Sequence, residues 1–282
     1  MEILSRIADV RAAVARRRAL GQTIGLVPTM GALHEGHLAL VAAARARAAC
    51  AAMSIFVNPL QFGPKDDFAA YPRASESDSA KAREHGVDLL FAPAAVEMYP
   101  EGQVTTTVTS SLATRWEAAA RPGHFAGVLT VVAKLLHIVQ PDVAVFGQKD
   151  AQQVVLVRAM ARELDFPTEI VVAPTVRDAD GVAMSSRNAY LSAGGREQAT
   201  VLFRALSAMH EAWRDAGLTD SFALESIGRR VLATEQSVSV EYLGIAEPAR
   251  LEPCRSVEPG CIAMVAVRVG RTRLIDNVVF AR

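Results

Sequence analysis

Short apolar runs alternate with longer amphipathic stretches over the first 175 residues. Residues 2–20 carry apolar positions at helical spacing and predict an amphipathic helix. The run Ile24-Gly25-Leu26-Val27 predicts a buried strand over 23–28, followed by a helix over 37–50. A strand over 52–57 leads to a polar loop, 58–73, then a helix over 75–86 and a strand over 87–91. A Thr/Val run predicts a strand over 104–109, and 125–139 a helix that ends before Pro141. Val143-Ala144-Val145-Phe146 predicts a strand, 150–164 a helix, and Ile170-Val171-Val172 a closing strand. Strands and helices in alternation build a mainly parallel sheet with helices on both faces.

After about residue 175 the pattern changes. Two helix-like stretches, 193–216 and 220–234, precede strand-like runs at 238–242, 261–267 and 272–276, with Gly270-Arg271 placed to turn between the last two. Helices followed by adjacent strands predict a small α+β domain with an antiparallel sheet. The expected boundary divides 1–175 from 176–282.

Composition narrows the classes. Over 282 residues the formal net charge is zero, without the basic excess of a general nucleic-acid binder, so no nucleic-acid partner is expected. Arg16-Arg17-Arg18 reads as the solvated face of the opening helix. Cys50, Cys254 and Cys261 form no Cys-x-x-Cys pair, which suits a reducing compartment. Glu2, Arg6 and Asp9 interrupt any signal peptide. The apolar stretch 128–139 is broken by Lys134 and His137 and is too short to span a bilayer. A cytoplasmic enzyme without a membrane partner is the expectation.

Four polar clusters fall at predicted strand ends or at the domain junction. In an open α/β sheet, ligands bind at the carboxyl ends of the strands. The first is Pro28-Thr29-Met30-Gly31-Ala32-Leu33-His34-Glu35-Gly36-His37. Its two imidazoles, three residues apart where a strand turns into a helix, suit an anion at a helix N-terminus. A zinc site would want the histidines four apart, and an ordinary polar turn is the plain alternative. The second, Asn58-Pro59-Leu60-Gln61-Phe62, offers neutral amides that can read a hydroxyl or carboxylate, or simply marks a turn.

The third cluster, Gly147-Gln148-Lys149-Asp150-Ala151-Gln152-Gln153, places a cation for phosphate and an acceptor for a ribose hydroxyl, unless it is only a capped helix start. Gln153 lies one turn beyond Asp150 on the same face. The fourth, Met184-Ser185-Ser186-Arg187-Asn188, is a phosphate clamp or a polar linker. Arg121 before the helix at 125–139 adds a cation. Together the clusters suit a triphosphate without a P-loop or a dinucleotide fingerprint. Attack on its α-phosphate, with pyrophosphate leaving, is the matching chemistry.

These residues resemble the pantothenate synthetase family, the pantoate–β-alanine ligases, within the His-x-Gly-His nucleotidyltransferases. The resemblance runs in order through the four clusters and through Tyr71-Pro72-Arg73, Arg121-Pro122-Gly123-His124-Phe125 and Arg273-Leu274-Ile275-Asp276-Asn277. It implies an α/β fold class, with a Rossmann-like parallel-sheet N-terminal domain binding ATP and pantoate. A smaller α+β C-terminal domain would cover the active site. The implied reaction has two steps: pantoate and ATP give pantoyl adenylate and pyrophosphate, and β-alanine then gives pantothenate and AMP.

In that family's pattern His34 and His37 grip phosphates, with His37 as the acid. Lys149, Ser185, Ser186 and Arg187 hold the β- and γ-phosphates; His34, His37, Lys149 and Arg187 form the catalytic set. Gly147 and Asp150 take the ribose, Val176 flanks the adenine, and Met30 and Met184 complete the nucleotide site. Gln61 and Gln153 hydrogen-bond pantoate, against apolar Pro28, Met30 and Phe56, with Asn58 and Arg121 serving pantoate or β-alanine. Mg²⁺ is carried by the ATP phosphates, and the chain pairs as a homodimer. Leu60 and Gln148 depart from the expected Thr and Glu. The rivals are another nucleotidyltransferase with the same histidine grip, and a nucleotide-binding regulatory module without turnover.

Overall fold

The computed structural model describes residues 1–64, 68–69, 71, 75–100 and 108–281. The backbone divides into two compact units, Met1–Gly147 with Leu156–Ala173, and Gln148–Val155 with Pro174–Arg282.

The first unit begins with strand β1 (Glu2–Leu4), helix α1 (Ile7–Ala19), strand β2 (Ile24–Thr29), helix α2 (Glu35–Arg45) and strand β3 (Cys50–Ile55). Helix α3 (Ser75–Glu84), strand β4 (Leu89–Phe91) and short helices α4 (Ala95–Met98) and α5 (Glu117–Ala120) follow. Helix α6 (His124–Val139), strand β5 (Val143–Gly147), helix α7 (Ala151–Glu163) and strand β6 (Glu169–Ala173) complete the series, α7 starting in the second unit's segment. The six strands lie in the order β1-β4-β3-β2-β5-β6, every pairing parallel.

Both faces of this sheet are covered. Val27 packs with Leu40, Val41 and Ala44 of α2, while Ile24 and Leu26, which alternate to the opposite face, are equally buried. Each such side chain contributes about 1.5–3 kcal/mol by leaving water. Gly25 sits where α2 crosses β2; a Cβ there would lie 3.1 Å from the Ala48 Cβ.

The opening of the chain corrects the expectation of one helix over 2–20. Residues Glu2–Leu4 pair with Leu89–Phe91 as an edge strand, and the helix starts at Ile7. Pairing with β4 captures Ile3 and Leu4, whose apolar spacing fits either period. The expected helix over 37–50 starts two residues earlier and ends at Arg45, because Cys50 already pairs with Ile24. Most of the strand expected over 104–109 lies outside the described residues, as do Pro72 and Arg73.

The second unit is built on helices α8 (Ala193–Ala216) and α9 (Ser221–Leu232) and strands β7 (Val238–Ala246), β8 (Ile262–Val269) and β9 (Thr272–Val279). The strands form an antiparallel sheet in the order β7-β8-β9. Ser192 and Asp220 cap the two helices, each accepting a backbone N–H three residues on. The helices pack on the sheet through Leu206, Met209, Leu224 and Leu243.

Candidate active site

In the first unit, β2 ends at Thr29 and the chain needs a tight turn before α2. Gly31 takes φ +89°, a conformation that glycine alone adopts without strain. Ala32 follows with φ +51°, and the turn is held from outside. Buried Asp78 of α3 accepts from the Ala32 and Leu33 backbone N–H groups, both at 2.8 Å. Lys81 donates to the Leu33 carbonyl at 2.7 Å.

The turn delivers His34 to the N-cap of α2. His34 Nδ1 accepts from the Gly36 N–H at 3.2 Å, and His37 Nδ1 accepts from the His34 N–H at 3.4 Å. A backbone N–H can only donate, so both Nδ1 atoms are acceptors and each neutral ring carries its proton on Nε2. The ring centroids stand 4.1 Å apart. Two imidazoles oriented in this way sit beside a helix N-terminus, where negative charge is favoured.

Beyond β3 the chain enters the 3-10 turn Pro59–Gln61, packed against α6. Asn58 is buried and all of its polar capacity is used within the protein. Its Oδ1 accepts from Leu60 N and the Tyr99 hydroxyl, and its Nδ2 donates to the Gly127 carbonyl and to Gln61 Oε1. Asn58 therefore orients Gln61 rather than offering itself to a ligand. Gln61 in turn aims its Nε2 at Met30 Sδ, 3.0 Å away. A thioether is a weak acceptor, so a ligand hydroxyl or carboxylate would displace it.

Burial pushes the Tyr99 phenol up to about 12, which keeps it a donor to Asn58. Phe56 is buried with its ring 6.1 Å from that of Tyr99, and Pro28 sits opposite Ser54 across the sheet. The Gln61 carbonyl accepts from His124 Nδ1 at 2.8 Å and Arg121 Nη2 at 3.4 Å; Arg121 Nη1 also reaches His124 Nε2 at 3.0 Å.

In the second unit, Lys149 and Asp150 lie in the 3-10 turn Gln148–Asp150, and Gln153 follows in the first turn of α7. Among the described residues no carboxylate pairs with Lys149. Gly147, which closes β5, belongs to the first unit. Val176 and Met184 face each other across a narrow hairpin, Met184 N donating to the Val176 carbonyl at 3.0 Å. Gly181, with φ +86°, makes its turn. Arg196 clamps Asp178 and Asp180 at 2.7 Å, and its hydrogen bonds hold the Asp180 carboxyl below the usual carboxylate range. Ser185 caps the next 3-10 turn by accepting from Arg187 N, which places Ser186 and Arg187 in its first residues.

The family model described as pantoate-beta-alanine ligase matches residues 2–279. The chain belongs to that family. A pantothenate synthetase of Acidobacterium capsulatum is 53% identical over 283 residues, covering 96% of this chain and 94% of that one. The crystal structure of pantothenate synthetase from Thermus thermophilus superposes with a TM-score of 0.94 at 47% identity, covering all of both chains. A pantoate-beta-alanine ligase from Francisella tularensis, complexed with beta-gamma ATP and beta-alanine, gives a TM-score of 0.80 at 31% identity, over 99% of this chain and 98% of that one.

Within this ligase fold, the sequence assigns several supporting residues no role. Asp78 sits in a polar helix that looks fully solvated, and Tyr99 in an irregular stretch. Arg177, Asp276 and Asn277 look like an ordinary turn and strand until the hairpin and β9 are seen together. The run Arg273-Leu274-Ile275-Asp276-Asn277 pointed to the last two without giving them a role.

Proposed function

We propose that this chain ligates pantoate and β-alanine with ATP, through pantoyl adenylate, releasing pyrophosphate and AMP. Family membership carries the overall reaction. The structural observation that carries the nucleotide half is the reciprocal cap of His34 and His37. That cap fixes both imidazoles, through Nδ1, at the end of β2 and the start of α2.

The pantoate carboxylate attacks the α-phosphate of ATP and the bond to pyrophosphate breaks. Negative charge grows on the leaving oxygens, and donors fixed in advance stabilise it without reorganising. In our reading His34 and His37 take phosphate oxygens, and His37 stabilises the leaving group by a hydrogen bond from Nε2–H rather than as the acid, because a neutral ring whose Nδ1 accepts a backbone N–H has no second proton to give. Lys149, Ser185, Ser186 and Arg187 hold the β- and γ-phosphates, Gly147 and Asp150 the ribose, and Val176 and Met184 the adenine end.

Gln61 would donate to pantoate from the Nε2 now resting on Met30, and Gln153 would add a second amide. Pro28, Met30 and Phe56 supply apolar surface for the dimethyl group. Arg121, steadied by His124 and the Gln61 carbonyl, is a cation for a substrate carboxylate, and Asn58 acts by orienting Gln61. In the second step the β-alanine amine attacks the acyl carbonyl and AMP leaves. Positioning supplies most of the rate in both steps.

Thr175 Oγ1 and Asn188 Oδ1 are buried without a hydrogen-bond partner among the described residues. Orphaned acceptors on the segment that carries Val176 and Ser185 support a ligand there. Mg²⁺ fits the donor set as an ion carried by phosphate oxygens and water. The proposed phosphate ligands are cationic or neutral, so the metal would be held through the phosphates. When bound it would neutralise phosphate charge. A homodimer and a cytoplasmic location complete the proposal; no helix among the described residues is long and apolar enough to cross a membrane.

The test is single-turnover pyrophosphate release from ATP and Mg²⁺, with pantoate present and β-alanine absent. A pantoate-dependent burst, followed by AMP and pantothenate on adding β-alanine, is the expected result. ATP binding without release would replace the ligase with a regulatory nucleotide binder. Release driven by another acid would point to a different transferase.

A further inference from the structure

Asp276 and Asn277 are neighbours on β9 and both are buried, at 4% and 3% exposure. Successive side chains of a strand point to opposite faces, so the two reach different neighbours. Asp276 accepts both Arg177 Nη1 at 2.6 Å and Nη2 at 3.0 Å. Arg177 also donates to the Gly181 carbonyl at 3.1 Å and lies 4.0 Å above the Phe203 ring. Because Arg177 pairs with Ala183 across the hairpin, fixing Arg177 fixes the strand that runs straight into Met184-Ser185-Ser186-Arg187.

Asn277 works on the other segment. Its Nδ2 donates to the Gln148 carbonyl at 2.9 Å and the Lys149 carbonyl at 2.8 Å, and its Oδ1 accepts from Gln148 Nε2 at 3.1 Å. The two carbonyls belong to the peptides on either side of the Lys149 Cα, so the amide fixes the point from which the ammonium is launched. Gln148 thereby gains a structural role, supplying the donor that keeps the Asn277 amide the right way round.

We infer that Asp276 and Asn277 are positioning residues for the adenylation step, setting the Ser185-Ser186-Arg187 and Lys149 segments from one strand. The inference rests on the proposed phosphate-binding role of those segments. Small displacements of charge-stabilising groups cost rate while leaving ground-state affinity nearly intact. The two half-reactions separate this role from plain structural support, because the β- and γ-phosphates have already left before β-alanine attacks.

The variants are Asn277→Asp, which sets a carboxylate against two carbonyls at unchanged size, and Asp276→Asn, which weakens the hold on Arg177. Lys149→Ala is the reference. Single-turnover pyrophosphate release is expected to fall by about 30- to 1000-fold in both variants, with the pantoate KM and the aminolysis of supplied pantoyl adenylate within about threefold of wild type. Equal losses in both half-reactions, or none, would overturn the positioning role. Unchanged release by Lys149→Ala would instead remove Lys149 from the phosphate site, and the inference with it. If Asn277→Asp does not fold, Asn277→Ser, which keeps one donor, carries the same readout.

Discussion

Asp78 lies forty-five residues from Leu33 in sequence, yet its Oδ1 accepts the Leu33 backbone N–H at 2.8 Å. Its Oδ2 takes the Ala32 N–H in the same way. One buried carboxylate therefore satisfies two amides of a turn that contains a non-glycine residue at positive φ. Replacing it with alanine leaves both amides unmet, at a cost of about 2–5 kcal/mol. Asp78→Ala should lower the unfolding midpoint accordingly. It should also weaken pyrophosphate release beyond any loss of folded protein, because the turn places His34. Chemical denaturation with release measured on the folded fraction checks this; a destabilised variant with full activity would separate the turn from the site.

Gly127 has no room for a side chain. A Cβ there would fall 2.3 Å from the Leu60 carbonyl oxygen, which is backbone and cannot swing aside. Helix α6 and the 3-10 turn Pro59–Gln61 must separate to admit it, and overpacking of this kind costs about 1–3 kcal/mol or more. Gly127→Ala should therefore move Gln61 and raise the pantoate KM more than the ATP KM. Steady-state kinetics with each substrate varied in turn decides it. An unchanged pantoate KM would show that Gln61 is not a pantoate ligand or that the turn does not set it.

His37→Ala removes an Nε2–H donor together with the Nδ1 that accepts the His34 N–H. Adenylation should fall by about two to four orders of magnitude through lost transition-state stabilisation. Loss of the bond from the His34 N–H accounts for about 0.5–1.5 kcal/mol of stability. Stopped-flow pyrophosphate release beside a thermal melt measures both. Wild-type release in a folded variant would take His37 out of the reaction.

Legibility in the sequence followed the range of the interaction. The strand and helix at 24–45 are local: an apolar run, glycines and a helical repeat, so the histidine turn could be found from its own residues. The sheet order was not legible, since parallel pairing joins segments far apart, and β1 looked like the start of a helix for that reason. The same holds at the site. His34, Gln61 and Lys149 stand out by type at strand ends, while Asp78 and Tyr99 act over more than forty residues of separation and have no local mark, and Asn277, though it lies in a family-like run, takes its role from contacts at least as distant. Asn58 shows the converse: its type suggested a ligand contact, but burial and four internal hydrogen bonds assign it to orienting Gln61.

Tyr99 ties the pantoate side of the proposed site to pH. Burial raises its phenol from 10.0 to about 12, and Cys50 rises from 9.0 to about 11, through burial first and the nearby Asp88 carboxylate second. In the unfolded chain these groups ionise near their ordinary values, so the unfolded state loses protons first as pH rises. The stability they contribute is complete below about pH 9 and is lost as pH climbs through the raised values. Ionised Tyr99 can no longer donate to Asn58 Oδ1, so the brace on Gln61 should loosen over the same range. Tyr99→Phe gives up that hydrogen bond at neutral pH, about 0.5–1.5 kcal/mol, but has no phenol to ionise. Its urea midpoint should start below wild type, then fall less steeply above pH 10, so that the two curves converge. Parallel curves would mean that the phenol titrates alike in both states and that burial does not hold its proton.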